Sequence, residues 1–186
     1  MKLKSEIHNA LKYGLNNTYS GNSKQIMHRN RSRDFVEKLA ESFRHEYSGD
    51  KFRTFSKHYA GNKTEFGLNE LLYDIAVCET KIMPSTRNKK TLRYVTKNIW
   101  SVESELARDS HESIKDFNKL VMSNSENKLF IAPEVNKIDD FLNTLKTPAK
   151  CCSGNVFLAI VPHPEKWDVN ISVSVYQLKK DEWVII

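Results

Sequence analysis

The chain has 186 residues, 39% of them hydrophobic and 28% charged, with a formal net charge of +6. That length supports one sizeable core rather than two comfortable domains, and the composition excludes a wholly disordered chain. No run reaches the roughly 18 apolar residues of a membrane helix, and the start, Met1-Lys2-Leu3-Lys4, lacks the apolar segment of a signal peptide. The expectation is one soluble, cytoplasmic domain over residues 1–186 that makes no use of a membrane. Cys78, Cys151 and Cys152 have no C-x-x-C spacing, which argues against a zinc site or a disulfide scaffold.

Leu3, Ile7, Ala10, Leu11 and Leu15 predict a short amphipathic helix over 1–15, followed by a polar linker, so that residues 1–30 are expected as a basic N-terminal arm. Val36, Leu39, Ala40, Phe43 and Tyr47 predict a helix over 31–47, which Ser48-Gly49-Asp50 ends. Strands are expected at 52–59, 70–79 and 92–106, the last two separated by a turn at 84–90. Ile114, Phe117, Leu120 and Val121 then predict a helix over 111–124, with a strand at 128–132, a helix at 138–145 ending near Pro148, and closing strands at 156–161 and 169–178. A meander followed by a helix and another strand gives an α/β (α+β) fold, a central mixed β-sheet flanked by helices.

The stretch that carries chemistry is Ile99-Trp100-Ser101-Val102-Glu103-Ser104-Glu105-Leu106, where two acids close an apolar run. Alternation in a strand sends Glu103 and Glu105 to one side with Cα atoms roughly 6.5 Å apart. Hard oxygen ligands converging without an interleaved cation suit Mg²⁺, Mn²⁺ or Ca²⁺. Asp74 interrupts a second apolar run, beside the small side chains of Ala76 and Cys78, and an isolated carboxylate there needs a partner. If the two strands pair, Asp74 converges on Glu103 and Glu105.

Charge is unevenly placed. Residues 1–33 hold seven Lys or Arg, Arg31 and Arg33 among them, against the single acid Glu6, and Arg87, Lys89, Lys90, Arg93 and Lys97 form a second acid-free cluster before the Glu103 strand. Basic segments in a chain with paired acids suggest a polyanionic substrate held through its phosphates; a solvated basic surface is the plainer alternative.

Asp74, Glu103-Ser104-Glu105, Asp116-Phe117-Asn118-Lys119-Leu120 and the strand Lys128-Leu129-Phe130-Ile131-Ala132 together resemble the restriction endonuclease-like, or PD-(D/E)XK, nuclease superfamily over about residues 31–132. That pattern has an acid in the first helix, an Asp on the second strand, Glu-x-Lys on the third, then a helix and a fourth strand. The resemblance implies a single nuclease-like domain and a metal-dependent endonuclease that hydrolyses DNA phosphodiester bonds. Its Mg²⁺ or Mn²⁺ would be held by Asp74, Glu103, Glu105 and an acid of the first helix, Glu41 or its neighbour Glu37.

The usual third-strand Lys is Glu105 here, and Lys119 is the candidate for a relocated catalytic cation, with Lys115 as the alternative. Arg31, Arg33, Arg87, Lys89, Lys90 and Arg93 are the candidates for nucleic-acid contacts. Superfamily enzymes are often dimeric, so a homodimer is implied as well. The rival expectation is a catalytically inactive nucleic-acid-binding or protein-interaction module on the same fold. The six histidines show no zinc-ligand spacing, and there is no P-loop and no G-x-G-x-x-G.

Overall fold

Leu3, Ile7, Ala10 and Leu11 fall on one side of α1 (Leu3–Asn16), and all four are buried, because apolar residues three and four apart make one stripe of a helix. The stripe packs on α2 (Lys24–Glu46) through Phe35, Leu39, Ala40 and Phe43. The N-terminal segment expected as an arm therefore contains a helix built into the core. The computed structural model describes residues 2–16, 23–85, 90–107, 109–167 and 171–186, with only the backbone of Lys90 and Ser110. α2 begins seven residues before the apolar period predicts. Ser23 caps it by accepting the Ile26 N–H at 3.4 Å, and the first two turns are mostly polar, so they carry no stripe to read.

Seven strands form one mixed sheet in sequence order. β1 (Phe52–Ser56), β2 (Ile75–Ser85) and β3 (Lys90–Ser104) are an antiparallel meander. Short α3 (Lys63–Phe66) lies between β1 and β2. β3, β4 (Asn127–Pro133) and β5 (Asn155–Val161) are parallel, joined through α4 (Ser110–Val121) and α5 (Ile138–Lys150). β6 (Ser174–Lys179) and β7 (Glu182–Ile185) close the sheet antiparallel.

Alternation along the parallel strands divides the core. Leu129, Ile131, Ala159 and Val161 pack with α1 and α2, while Phe130, Ala132, Leu158 and Ile160 pack with Phe117 and Leu120 of α4 and Leu145 and Ala149 of α5. The fold is α+β: a mixed sheet with helices on both faces.

Three boundaries differ from expectation for physical reasons. Residues 70–74 are not strand: Leu72 has φ 61° and the Tyr73 N–H bonds the Leu71 carbonyl, so the chain turns sharply and Asp74 precedes β2 instead of lying within it. α5 runs past Leu145 and through Pro148, which withholds an N–H from the Thr144 carbonyl, and the last turn still buries Ala149. The closing hairpin has a two-residue Lys180-Asp181 turn with φ of 47° and 67°. It is a primed-type turn without its usual Asn-Gly, so β7 leaves no sequence signal; residues 169–170 of the strand expected at 169–178 lie outside the described residues.

The start of β4 is held by Lys128, fully buried, whose Nζ donates to the carbonyls of Ser125 at 2.7 Å and Ser153 at 2.6 Å. Burial lowers its pKa. Next to it, Gly154 has φ 73°, and an added Cβ would stand 2.4 Å from the Glu126 carbonyl oxygen. Gly154→Ala is expected to cost about 3 kcal/mol, a fall in Tm of roughly 8 °C. Gly49, with φ 100° but nothing within 4 Å of an added Cβ, pays only the backbone strain, so Gly49→Ala should lose about half as much in the same melt.

Candidate functional site

β3 ends at Ser104, and the site is built where it ends. Glu103 pairs in register with Phe130 of β4 and is 1% exposed. Lys119 of α4 reaches its Oε2 at 3.1 Å and holds Asp116, one turn away on the same helix, at 2.9 Å. Asp74, just before β2, is brought alongside because Ile75 pairs with Val102. Its Oδ2 accepts from the Ser104 N–H at 2.8 Å and the Ser104 hydroxyl at 2.6 Å. Asp74, Glu103 and Lys119 are thus brought together by the meander and the β3–α4–β4 crossover.

Glu103 Oε1 is buried and has no hydrogen-bond partner. Burial, and then the Asp74 charge, push the Glu103 carboxyl up to about 8. Burial also raises Asp74, against the two Ser104 bonds that favour its charged form. For Lys119, burial acts to lower the pKa, but the bond to Asp116 and the pairing with Glu103 outweigh it, and the ammonium is held above its ordinary value.

Glu105 lies beyond the strand. Its N–H bonds the Ile131 carbonyl and its Oε1 accepts the Ala107 N–H at 2.6 Å. Burial raises its pKa first, and the Asp116 and Glu112 charges add to that. Glu105 therefore belongs to the α4 side of an acid cluster in which Lys119 is the nearest cation to Glu103.

Of the cluster, Asp74 lines a groove of about 560 Å³, together with Ser104, Arg29, Arg33, Glu37, Lys57 and His58. A second hollow of about 300 Å³ shares Arg29 and Ser104 with it and is lined also by His28, Glu105 and His163. The helix acid at this groove is Glu37, which accepts from Ser56 Oγ at 2.8 Å and the His58 N–H at 2.9 Å. Glu41 is exposed and paired with Lys38 at 2.9 Å, one turn too far along α2 to join Asp74.

The expected basic contacts are only partly here. Arg33 lines the groove. Arg31 donates to the Pro164 carbonyl at 2.5 Å. Arg93 is largely buried, 3.2 Å from Glu65 and 2.7 Å from the Asp50 carbonyl, about ten residues of strand from Glu103. At ~3.3 Å per residue that is roughly 30 Å away, so Arg93 stands far along the hairpin from the acids. Arg87 and Lys89 lie outside the described residues, as does the side chain of Lys90. Arg29, Lys57, Ser104 and Asp116 were not named as site candidates, although Arg29 lies in the basic N-terminal stretch and Ser104 and Asp116 stand in the segments that carry the resemblance; Lys57 had no signal.

Among the described residues no three His, Cys, Asp or Glu side chains stand together as a metal-binding group. The pair Asp74 and Glu103 nonetheless has the donor chemistry for a hard cation, because Glu103 offers a buried oxygen with no other partner. Comparison of the chain with known protein families, curated proteins and solved structures gives no match.

The raised Glu103 pKa has a definite sign. The folded state keeps a proton that the unfolded chain releases near 4.5, so stability is full below that pH and is lost as pH rises toward 8. Glu103→Gln is expected to melt roughly 5 °C above the parent at pH 8–9, in EDTA, with the gap closing below pH 4.5. A constant gap at all pH values would count against a buried, protonated Glu103.

Proposed function

We propose that the protein is a metal-dependent phosphodiesterase that cuts DNA, with Asp74 and Glu103 holding Mg²⁺ or Mn²⁺. The observation that carries this reading is the buried, unpartnered Oε1 of Glu103 beside Asp74, which itself lines a groove with Arg29, Arg33 and Lys57. Lys119 holds one oxygen of that buried carboxylate, the other is left without a partner at a cost in free energy, and a bound cation removes that cost.

The roles follow from position. Arg29, Arg33 and Lys57 hold backbone phosphates at the groove rim, where each positive charge neutralises a phosphate and releases a counterion. Lys119, kept protonated by Asp116, faces Glu103 and is the side chain suited to stabilise the charge that develops on the phosphoryl oxygens. Ser104 fixes Asp74 through two hydrogen bonds, so the carboxylate is oriented before substrate arrives. Glu37 holds the His58 backbone at the groove wall. When bound, the cation lowers the pKa of an attacking water and offsets the charge of an in-line displacement.

One observation favours the rival reading of a DNA-binding module without turnover: Lys119 already neutralises Glu103 Oε2, and Ser104 already occupies Asp74 Oδ2. Two measurements separate them. Millimolar Mg²⁺ or Mn²⁺ should raise the parent Tm and leave Glu103→Gln unmoved, since a ligand bound only by the native state stabilises it. Asp74→Ala and Lys119→Ala should each lower Mg²⁺-dependent cleavage by about a hundredfold or more while the salt-sensitive affinity for DNA stays within about twofold. Cleavage unaffected by Asp74→Ala would remove the assignment, and DNA binding without turnover in the parent would establish the rival.

A further inference from the structure

The β2–β3 hairpin outgrows the sheet. β1 pairs with β2 only over residues 75–79 and β4 with β3 only over 100–104. Beyond Thr80, whose N–H bonds the Lys51 carbonyl, residues 81–85 and 90–94 pair only with each other among the described residues. They form a two-stranded ribbon roughly 15 Å long. One side of it carries the cross-strand pairs Lys81 with Tyr94 and Met83 with Leu92. Met83 is 44%, Leu92 46% and Tyr94 39% exposed. The other side is braced at its base by Arg93, which Glu65 and the Asp50 carbonyl hold.

A ribbon this bare is expensive to leave in water, since a two-stranded hairpin with no cover is marginal by itself. Its charge says what covers it. Residues 81–98 contain six Lys or Arg and no Asp or Glu, an excess equal to that of the entire chain. Arg93 pairs with Glu65 and Lys97 with Glu126, while Lys81, Arg87, Lys89 and Lys90 belong to a stretch with no acid of its own. A second copy of the same ribbon would be repelled, and an apolar protein surface would leave the cations without counter-charge. A polyanion with apolar faces between its charges satisfies both kinds of side chain. Two strands about 4.8 Å apart are also the width that the ≈12 Å major groove of duplex DNA admits.

We infer that the β2–β3 ribbon is a duplex-DNA-binding arm that enters the major groove by its Lys81, Met83, Leu92 and Tyr94 face, at a surface separate from Asp74 and Glu103. Lys81 meets phosphate, and Met83, Leu92 and Tyr94 pack on the groove floor and sugars. The arm acts whether or not the acids cut, so its success or failure is read independently of the reaction proposed above.

The test is equilibrium binding of a labelled duplex of about 30 base pairs in EDTA, with salt varied, to the parent, Lys81→Glu, Tyr94→Ala and the distant surface control Lys179→Glu. Lys81→Glu should weaken binding at least fivefold and lower the log–log salt slope by about one, Tyr94→Ala should weaken it with the slope unchanged, and Lys179→Glu should match the parent. Because binding is read in EDTA, without turnover, this result stands apart from any failure of catalysis. Equal affinity and slope for the parent and both arm variants would overturn the inference. So would binding of Lys81-dependent strength to vesicles containing phosphatidylserine but none to the duplex, which would make the arm a membrane contact. Dimerisation of the parent that Met83→Glu abolishes, with duplex affinity unchanged, would assign the face to a second copy and overturn it equally.

Discussion

Burying a carboxylate is the constraint around which this protein is arranged. Glu103 sits at 1% exposure between the sheet and α4, where a charge without company costs several kcal/mol. The fold meets that cost only in part. Lys119 takes one oxygen and is itself steadied by Asp116, while the other oxygen is left bare and Asp74 adds a second acid close by. Stability thereby depends on proton uptake at a position where an apolar residue would pack at no electrostatic cost. Departures of this kind, in which local stability is given up and nothing in the core gains by it, collect at sites with work to do.

The elements that impose the arrangement are ordinary ones. The parallel β3–β4 register points Glu103 toward α4, and the three-residue spacing of Asp116 and Lys119 stacks both on the helix face above it. The turn at Leu72, with its left-handed backbone, stops β2 from starting earlier and leaves Asp74 at the strand mouth, where Ser104 can hold it. A β2 that began at residue 70 would have fixed Asp74 by alternation on the sheet face that carries Ala76 and Cys78.

Apolar periodicity made most of the fold readable, because α1, the apolar half of α2, α4 and the parallel strands bury regular stripes. It failed where burial is irregular: at the polar first turns of α2, which form because Ser23 caps them, and at β7, whose turn residues are Lys180 and Asp181. The acid pair was legible because Asp74 and Glu103 break apolar runs. Of the two helix acids it is Glu37, one turn before Glu41, that lines the groove, and Glu105 stands one residue past the end of β3, where its carboxyl, like that of Glu103, feels the Asp116 charge. Proximity in sequence also misled. The basic cluster before Glu103 is joined to it by extended chain, and a strand carries its ends apart at ~3.3 Å per residue.

The order of the strands has a consequence for how the chain gets to its native state. Every pairing in the sheet joins strands that are neighbours along the chain, so each loop closed during assembly is short and its entropy cost modest. The sheet can therefore lengthen one strand at a time in the direction of synthesis. The face under α1 and α2 obeys a different rule: its core is completed by Val161, Val173 and Val175 from the far end of the sequence. Until those residues arrive, the two first-made helices have only part of their apolar surface covered. The long-range step of folding is thus the docking of the last strands onto the α1–α2 pair, whose two helices cover part of each other's apolar surface in the meantime.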